Sequence, residues 1–519
     1  MLFQSYGFIF VFFPIVLLGY GICRRITEKV GQENRIKSLI CLFLLAASLV
    51  FYGFCNVRYL PVLLVSMAVN YGLCRWMEKS GRSRKILVMG LLFHIGVLCG
   101  FKYLAGGRYM PPALSFYTFT QIAFLAECYR GSLDLGAGRD GKEAVGGFRE
   151  GRLCPALSYG LYVTWFPKMM QGPIMLPGEF FPKFQGIWEQ GRTLGKSTVE
   201  RVDWERVFRG IYLFVLGLFK KVLIADTFGS AVDLGYASLL GLNSWDGVVV
   251  MLSYTLQLYF DFSGYCDMAM GISGLFGMEL PLNFHSPYKA ANILEFWKRW
   301  HMTLTGFFTR YVYIPLGGNR KGRARTYVNV LIVFLLSGIW HGTGIQFLIW
   351  GMMHGVLYVI TRAVMESRGF ARLAERYGQT GSRGRRILHG GSVCLTFLYV
   401  NIAWVFFRAP SVKEAASLLK TVTDFRGGRM NWELAGCFNL DEFWYVIKVL
   451  RLDRWQYGHY ICMAVILTAV LLLVFFGRTA ADFVKTAKPK LIHALIMAVL
   501  FAWSVLSLTG VSSFLYVNF

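Results

Sequence analysis

Apolar residues gather along this chain into long runs, separated by stretches rich in Lys and Arg. The runs fall at 6–22, 39–54, 59–76, 86–101, 113–128, 207–225, 248–262, 327–340, 345–360, 391–407, 461–476 and 491–508. Crossing about 30 Å of hydrocarbon takes about 20 apolar residues as helix, and fewer where the bilayer thins or flanking polar side chains snorkel. The pattern predicts an all-α polytopic membrane protein with roughly ten to twelve crossings, and 157–170 as an additional re-entrant piece. One integral-membrane domain over residues 1–519 is expected.

The loops set the orientation, because Lys and Arg near span ends are retained on the cytoplasmic side. Segments 24–37, 75–85 and 130–152 are basic or charge-rich, whereas 55–58 is short and nearly neutral, which makes the first five spans alternate. Segments 320–325, 368–386 and 478–490 are expected on the same cytoplasmic side. The first apolar run precedes Arg24-Arg25 and shows no small-residue cleavage site, the reverse of a secretory signal. It reads as a retained span with its N-terminus extracytoplasmic. Gly-rich 136–151 reads as a flexible cytoplasmic connection, and no internal repeat is evident.

Composition agrees. Of 519 residues, 55% are hydrophobic and only 16% charged, against about 25% charged in soluble domains. Disordered, collagen-like and small disulfide-framework classes are excluded. The net charge of +25 would suggest nucleic acid in a soluble protein; here it marks cytoplasmic loops beside anionic lipid, and no nucleic-acid partner is expected. The eleven cysteines are scattered without a CxxC and read as small buried hydrophobes.

The middle of the chain breaks the apolar pattern, and ionisable groups inside spans are costly and usually functional. Tyr259-Phe-Asp261-Phe-Ser263-Gly-Tyr265-Cys-Asp267 puts two carboxylates and a serine in an apolar run. Asn283-Phe-His285-Ser-Pro287 reads as turn or partly extended chain, since proline disfavours helix before it. Glu295-Phe-Trp297-Lys298-Arg299-Trp300-His301 opens an amphipathic segment, and Ser337-Gly-Ile-Trp340-His341-Gly342 ends a span.

His341 is the sharpest candidate. If 320–325 is cytoplasmic, roughly fourteen helical residues lift it about 21 Å, into the outer half of the bilayer. An imidazole accepts a hydroxyl proton near neutral pH without large tuning. His354, mid-span, reads as an interhelical hydrogen bond. His285 reads as a cavity or turn residue, and His94, His389, His459 and His493 as packing or interface residues. No HxxxH or HExxH pair exists, so no metal is expected. No GxSxG, Walker or dinucleotide-binding motif occurs in a suitable context.

The ordered set YFDFSGYCDMAMG, PLNFHSPY, EFWKRWHMTL, YIPLGGNRKG and SGIWHG resembles the membrane-bound O-acyltransferase superfamily. The likeness is to its bacterial branch, which contains the alginate O-acetyltransferase membrane subunit and the teichoic acid D-alanyl transferase. Weaker agreement runs from FFPIVLLGY through SFYTF, QGPI, GLFKKVLIAD and NIAWVFFRA to FLYVNF at the end of the chain. The resemblance implies a ring of membrane helices around a central tunnel, with the catalytic region at about 254–361. It implies that His341 is catalytic and that His301 is the second catalytic-site histidine. Trp300, Trp340, Asn283, Asp261, Ser263 and Asp267 are expected to line the tunnel or hydrogen-bond these groups. Thr309-Arg310 stand where relatives commonly carry Arg-Asp, so the carboxylate of that pair is missing at this turn.

The expected activity is transfer of an acyl group, acetyl foremost, from a cytoplasmic thioester to hydroxyls of an extracytoplasmic polysaccharide or to a secreted SGNH-like partner transferase. Acetyl-CoA or an acyl-carrier protein is the expected co-substrate, no tightly bound cofactor is expected, and the setting is the bacterial plasma membrane. D-alanyl transfer to teichoic acid is the alternative. The roughly fifty-residue segment between NIAWVFFRA and residue 461 favours the alginate acetylase type. A proton-coupled transporter or flippase, and a non-catalytic scaffold, are the rivals from other classes.

Overall fold

A computed structural model of the chain describes residues 1–30, 33–104, 109–133, 135, 154–189, 203–368, 383–425, 427–440, 448–449, 451, 455, 457–510 and 515. Every regular element among them is helical. The expected connection 136–151, most of the loops 130–152 and 368–386, and all of FLYVNF except Leu515 lie outside the described residues. The contacts group into two compact units, each assembled from separate stretches of chain. The first is Met1–Leu218 with Gly264–Leu282 and Val484–Phe519, and the second is Phe219–Ser263 with Asn283–Phe483.

Among the described residues, seven stretches are long and apolar enough to cross a bilayer: Gly7–Arg25, Lys37–Lys79, Arg84–Leu104, Gly322–His341, Ile345–Met365, Arg386–Arg408 and Gly458–Phe476. Lys37–Lys79 contains two of the expected runs. They separate at Asn56, whose backbone turns extended and whose side chain accepts from the Arg58 N–H, before Pro61 starts the next helix. Leu491–Leu506 is a shorter apolar helix. Three expected spans are helical but built differently. Leu114–Arg130 is buried at every residue from Leu114 to Leu125. Trp204–Phe219 passes into a π-helical turn, Lys220–Ala225, that carries two lysines. Residues 248–262 lie within a 32-residue helix, Ser244–Leu275, that includes Asp246, Asp261 and Asp267.

In the first unit a buried polar knot joins four helices. His94 Nε2 lies 2.9 Å from Asn70 Oδ1, and Asn70 Nδ2 donates to the Tyr159 hydroxyl at 3.0 Å. That hydroxyl donates to Gln121 Oε1 at 3.0 Å, and Gln121 Nε2 donates to Ser66 Oγ at 3.0 Å. His94 is therefore more than the packing residue its sequence surroundings suggest. Its partners come from other helices, so no local motif announces them. A satisfied network of this kind rigidifies and specifies a core.

The second unit carries the central motifs. We label its helices α1 (Ser244–Leu275, as far as Ser263), α2 (Ile293–Arg299), α3 (Met302–Phe308), α4 (Gly322–His341), α5 (Ile345–Met365) and α6 (Arg383–Arg408). The sequence of α2 contains a capping box: Asn292 Oδ1 accepts from the Glu295 N–H at 2.9 Å, and Glu295 Oε2 accepts from the Ala291 N–H at 2.9 Å. Glu295 also pairs with Arg299 one turn on, at 2.7 Å. Helices α4 and α5 form a tight hairpin. A Cβ on Gly338 would stand 2.5 Å from the Phe347 carbonyl oxygen, and one on Gly351 would stand 2.5 Å from that of Phe334. The absent side chains let the two backbones touch, as small residues do between membrane helices.

A buried ion triad ties the π-helical turn to α1. Lys221 Nζ lies 2.8 Å from Asp226 Oδ1 and 2.7 Å from Asp261 Oδ1, and both Lys221 and Asp261 are about 1% exposed. Replacing the lysine leaves two carboxylates facing each other where desolvation is expensive. Lys221→Met should therefore cost about 3–5 kcal/mol and depress the melting temperature of the detergent-solubilised protein, and Asp261→Asn combined with it should recover part of the loss. Unchanged melting of the single variant would mean that the triad contributes no stability.

Candidate active site

The two candidate histidines are held by different devices on either side of one indole. His301 sits at the junction of α2 and α3 with φ 44° and ψ 50°, a left-handed conformation uncommon outside glycine and found in His more than in bulky residues. The extended chain before α2 holds this junction by backbone hydrogen bonds, His285 N–H to Arg299 C=O at 2.9 Å and Met302 N–H to Asn283 C=O at 3.0 Å. The expected turn or extended stretch is thus a clamp on the His301 loop.

Asn283 also sets the tautomer of His301. Asn283 Oδ1 accepts from the Thr303 backbone N–H at 3.2 Å and from the Thr303 hydroxyl at 2.9 Å. A backbone N–H only donates, so the atom facing it is the amide oxygen. His301 Nδ1, 3.2 Å from that oxygen, must then carry the proton. Its Nε2 keeps the lone pair, is buried, and has no hydrogen-bond partner among the described residues. Burial pushes the His301 imidazolium down to about 3, so the ring is neutral at physiological pH.

His341 is the last residue of α4 and is 3% exposed. Its ring lies 4.5 Å from Trp340, 5.0 Å from Trp350 and 5.0 Å from Phe407, centroid to centroid. Trp340 also faces His301 edge-on at 6.5 Å. The α4–α5 glycine contact places Trp350 against His341, and α6 supplies Phe407.

The remaining predicted residues separate. Trp300 stacks on Phe296 at 5.6 Å and packs on Trp404 at 4.9 Å, in an aromatic cluster beside the histidines. Asp261 belongs to the Lys221 triad, which gives it a structural partner. Ser263 is buried with no hydrogen-bond partner for its hydroxyl among the described residues. Asp267, also buried, falls in the first unit. His285 is half-exposed and lies 3.3 Å from Asp482, away from a buried cavity role. Trp350 and Phe407 are contacts of His341 that the sequence reading did not single out. Trp350-Gly-Met-Met-His354 carries a weak signal, whereas Phe407 lies in an ordinary apolar run.

His354 departs from expectation. Rather than bonding a neighbouring helix, both of its ring nitrogens are without a hydrogen-bond partner among the described residues. The ring is caged by Trp297 at 5.1 Å, Trp350 at 5.2 Å and Phe296 stacked at 6.2 Å. The reason is local: the faces it meets on α2 and α5 present aromatic rings. An unpartnered buried polar group costs about 1–3 kcal/mol.

The model of the MBOAT, membrane-bound O-acyltransferase family matches residues 111–377, just over half of the chain. The chain belongs to this family. It is 34% identical to a peptidoglycan O-acetyltransferase of Helicobacter pylori, over 82% of this chain and 80% of the relative. It is 30% identical to a Pseudomonas putida protein named a probable alginate O-acetylase, over 94% and 89%. A teichoic acid D-alanyltransferase of Bacillus subtilis matches at 28% identity over 38% of this chain and 49% of its own length. The protein is a multi-pass membrane O-acyltransferase, and the family match encloses both histidines.

Two outcomes follow from the ring environments. His354→Phe should raise the melting temperature, because it fills the same cage without unpartnered nitrogens; a fall of several degrees would show that those nitrogens are satisfied. For His301, the unfolded chain binds a proton below the ordinary histidine value of about 6.5, whereas the folded ring resists protonation down to about 3. Stability should therefore decline as pH falls through that window. His301→Gln should show a shallower decline between pH 7 and pH 5, read as the difference in melting temperature, and equal slopes would contradict the neutral buried ring.

Proposed function

We propose that this acyltransferase moves an acetyl group from a cytoplasmic thioester, carried by coenzyme A or an acyl-carrier protein, to hydroxyls of an extracytoplasmic polysaccharide. The transfer proceeds directly or through a secreted SGNH-like partner transferase, in a bacterial plasma membrane with the N-terminus outside. The observation that carries the reading is His341, a buried imidazole at the C-terminal end of a membrane-spanning helix, jacketed by Trp340, Trp350 and Phe407.

In this reading His341 takes the hydroxyl proton as the oxygen attacks the thioester carbonyl. The new C–O bond forms, the C–S bond breaks, and the electron pair leaves on sulfur. The imidazolium then returns the proton to the thiolate, so the base is neutral again at the end of the cycle. A thiolate leaves readily enough that no covalent enzyme intermediate is required. His301, its Nδ1–H fixed on Asn283, offers the Nε2 lone pair to a neighbouring hydroxyl of the acceptor sugar and so orients the attacking oxygen. Trp340 stands between the two rings and keeps bulk water from the thioester.

Acetyl is favoured over D-alanyl by the extent of similarity. The peptidoglycan and alginate acetylating relatives match over most of their own length, and the D-alanyl transferase over about half. Mass spectrometry of surface glycans with and without the gene distinguishes the two groups directly.

General-base loss costs about 10²–10⁴ in rate. His341→Ala should therefore lose glycan acylation by that factor while its expression and melting temperature stay near those of the parent. Full transfer by the variant would sink the assignment, and counter-ion-dependent uptake without acyl transfer would point to a transporter instead.

A further inference from the structure

Wholly within the second unit lies a cavity of about 270 Å³ between α2, α3, α4 and α5, and neither His301 nor His341 lines it. Its long walls are apolar, with Trp297, Phe308, Val330 and Phe334 among them. The charged groups that line it are two cations, Lys298 and Arg362. Lys298 is exposed and has no ion pair among the described residues. Arg362 shares Glu366 with Arg323, at 2.9 Å and 3.6 Å, so the three cations have one carboxylate between them.

We propose that this cavity binds one acyl chain of an anionic phospholipid, with the headgroup phosphate on Lys298 and Arg362. Three observations select this occupant. Helices α4 and α5 are long and apolar enough to span the bilayer, and their outward side chains, Leu336 and Ile360 among them, are exposed and apolar; lipid is the solvent for such a face. Arg362 lies in the last turn of α5, at the same end of the hairpin as the basic start of α4, where anionic headgroups are attracted by about 1 kcal/mol per cation. Apolar side chains predominate along the walls, beside the polar Thr305, Tyr313, Asn319, Ser337 and Tyr358, and the Thr309 hydroxyl is committed to the Thr305 carbonyl at 2.7 Å. A hydrocarbon chain fills the apolar part of these walls without desolvating a polar group of its own.

The site is independent of the acyl-transfer chemistry, and its test separates the two. Native mass spectrometry of the purified full chain, delipidated in detergent, would count bound phosphatidylglycerol against phosphatidylcholine at equal concentration. One phosphatidylglycerol should be retained on the parent and on His341→Ala alike. Lys298→Ala combined with Arg362→Ala should weaken that retention about tenfold or more, and Val333→Trp, which fills the cavity, should abolish it. Equal retention of the zwitterionic lipid would overturn the proposal, as would unchanged retention in the charge variant, whose Lys298 is exposed and not needed for folding. Displacement of the lipid by inorganic phosphate or by coenzyme A would overturn it too, since either would mark the cavity as a site for a soluble phosphate.

Discussion

Backbone contact between α4 and α5 is the constraint on which the site depends. Gly338 and Gly351 each face a carbonyl oxygen so closely that a single methyl group would stand 2.5 Å from it. Without lipid or side chains between them, the two helices are held by many weak dispersion contacts and have one register in which the surfaces fit. His341 follows Gly338 by one turn, and Trp350 immediately precedes Gly351, so the register that seats the glycines also seats the imidazole on the indole. The placing of His341 against Trp350 follows from helix packing rather than from a flexible loop, and packing of this kind holds a side chain to within a fraction of an ångström.

The glycine contact sets one side of the site, and hydrogen bonding sets the other. His301 stands on a left-handed residue between two short helices, a place that packing alone would leave mobile. Asn283 compensates with one atom, accepting from Thr303 twice and from His301 once. The two histidines are thereby held by opposite means, one by apolar contact and one by a saturated amide oxygen, and Trp340 is their common neighbour.

How far the sequence was legible follows from what hydropathy measures. Spans such as Gly7–Arg25 and Gly458–Phe476 were legible because lipid imposes length and composition on them. Leu114–Arg130 was legible as an apolar helix but not as one buried against protein, since hydropathy does not distinguish a lipid face from a protein face; only its Ser, Thr and Gln residues hint at the difference. The central motifs singled out His301, His341 and Asn283 because polar groups stand out against an apolar background. Pairing was not legible: Asp261 was visible, but Lys221 is 40 residues away in sequence and reads as a basic edge. Phe407 was invisible for the converse reason, being one apolar residue among many.

The aromatic jacket answers a problem that a membrane acyltransferase meets wherever it joins two aqueous sides. A thioester is intrinsically prone to attack by water, so a base strong enough to activate a sugar hydroxyl is also strong enough to activate water. Selectivity then rests on exclusion rather than on base strength. Among the described residues five large rings, those of Phe262, Phe284, Trp340, Trp350 and Phe407, stand around the two histidines, and His341 is 3% exposed and His301 1%. Exclusion has its own consequence, because a buried imidazolium lacks solvation. His301, the N-cap of α3, is held neutral by burial. On the proposed pathway His301 is therefore suited to accept a hydrogen bond without taking the charge, and the proton transfer falls to His341.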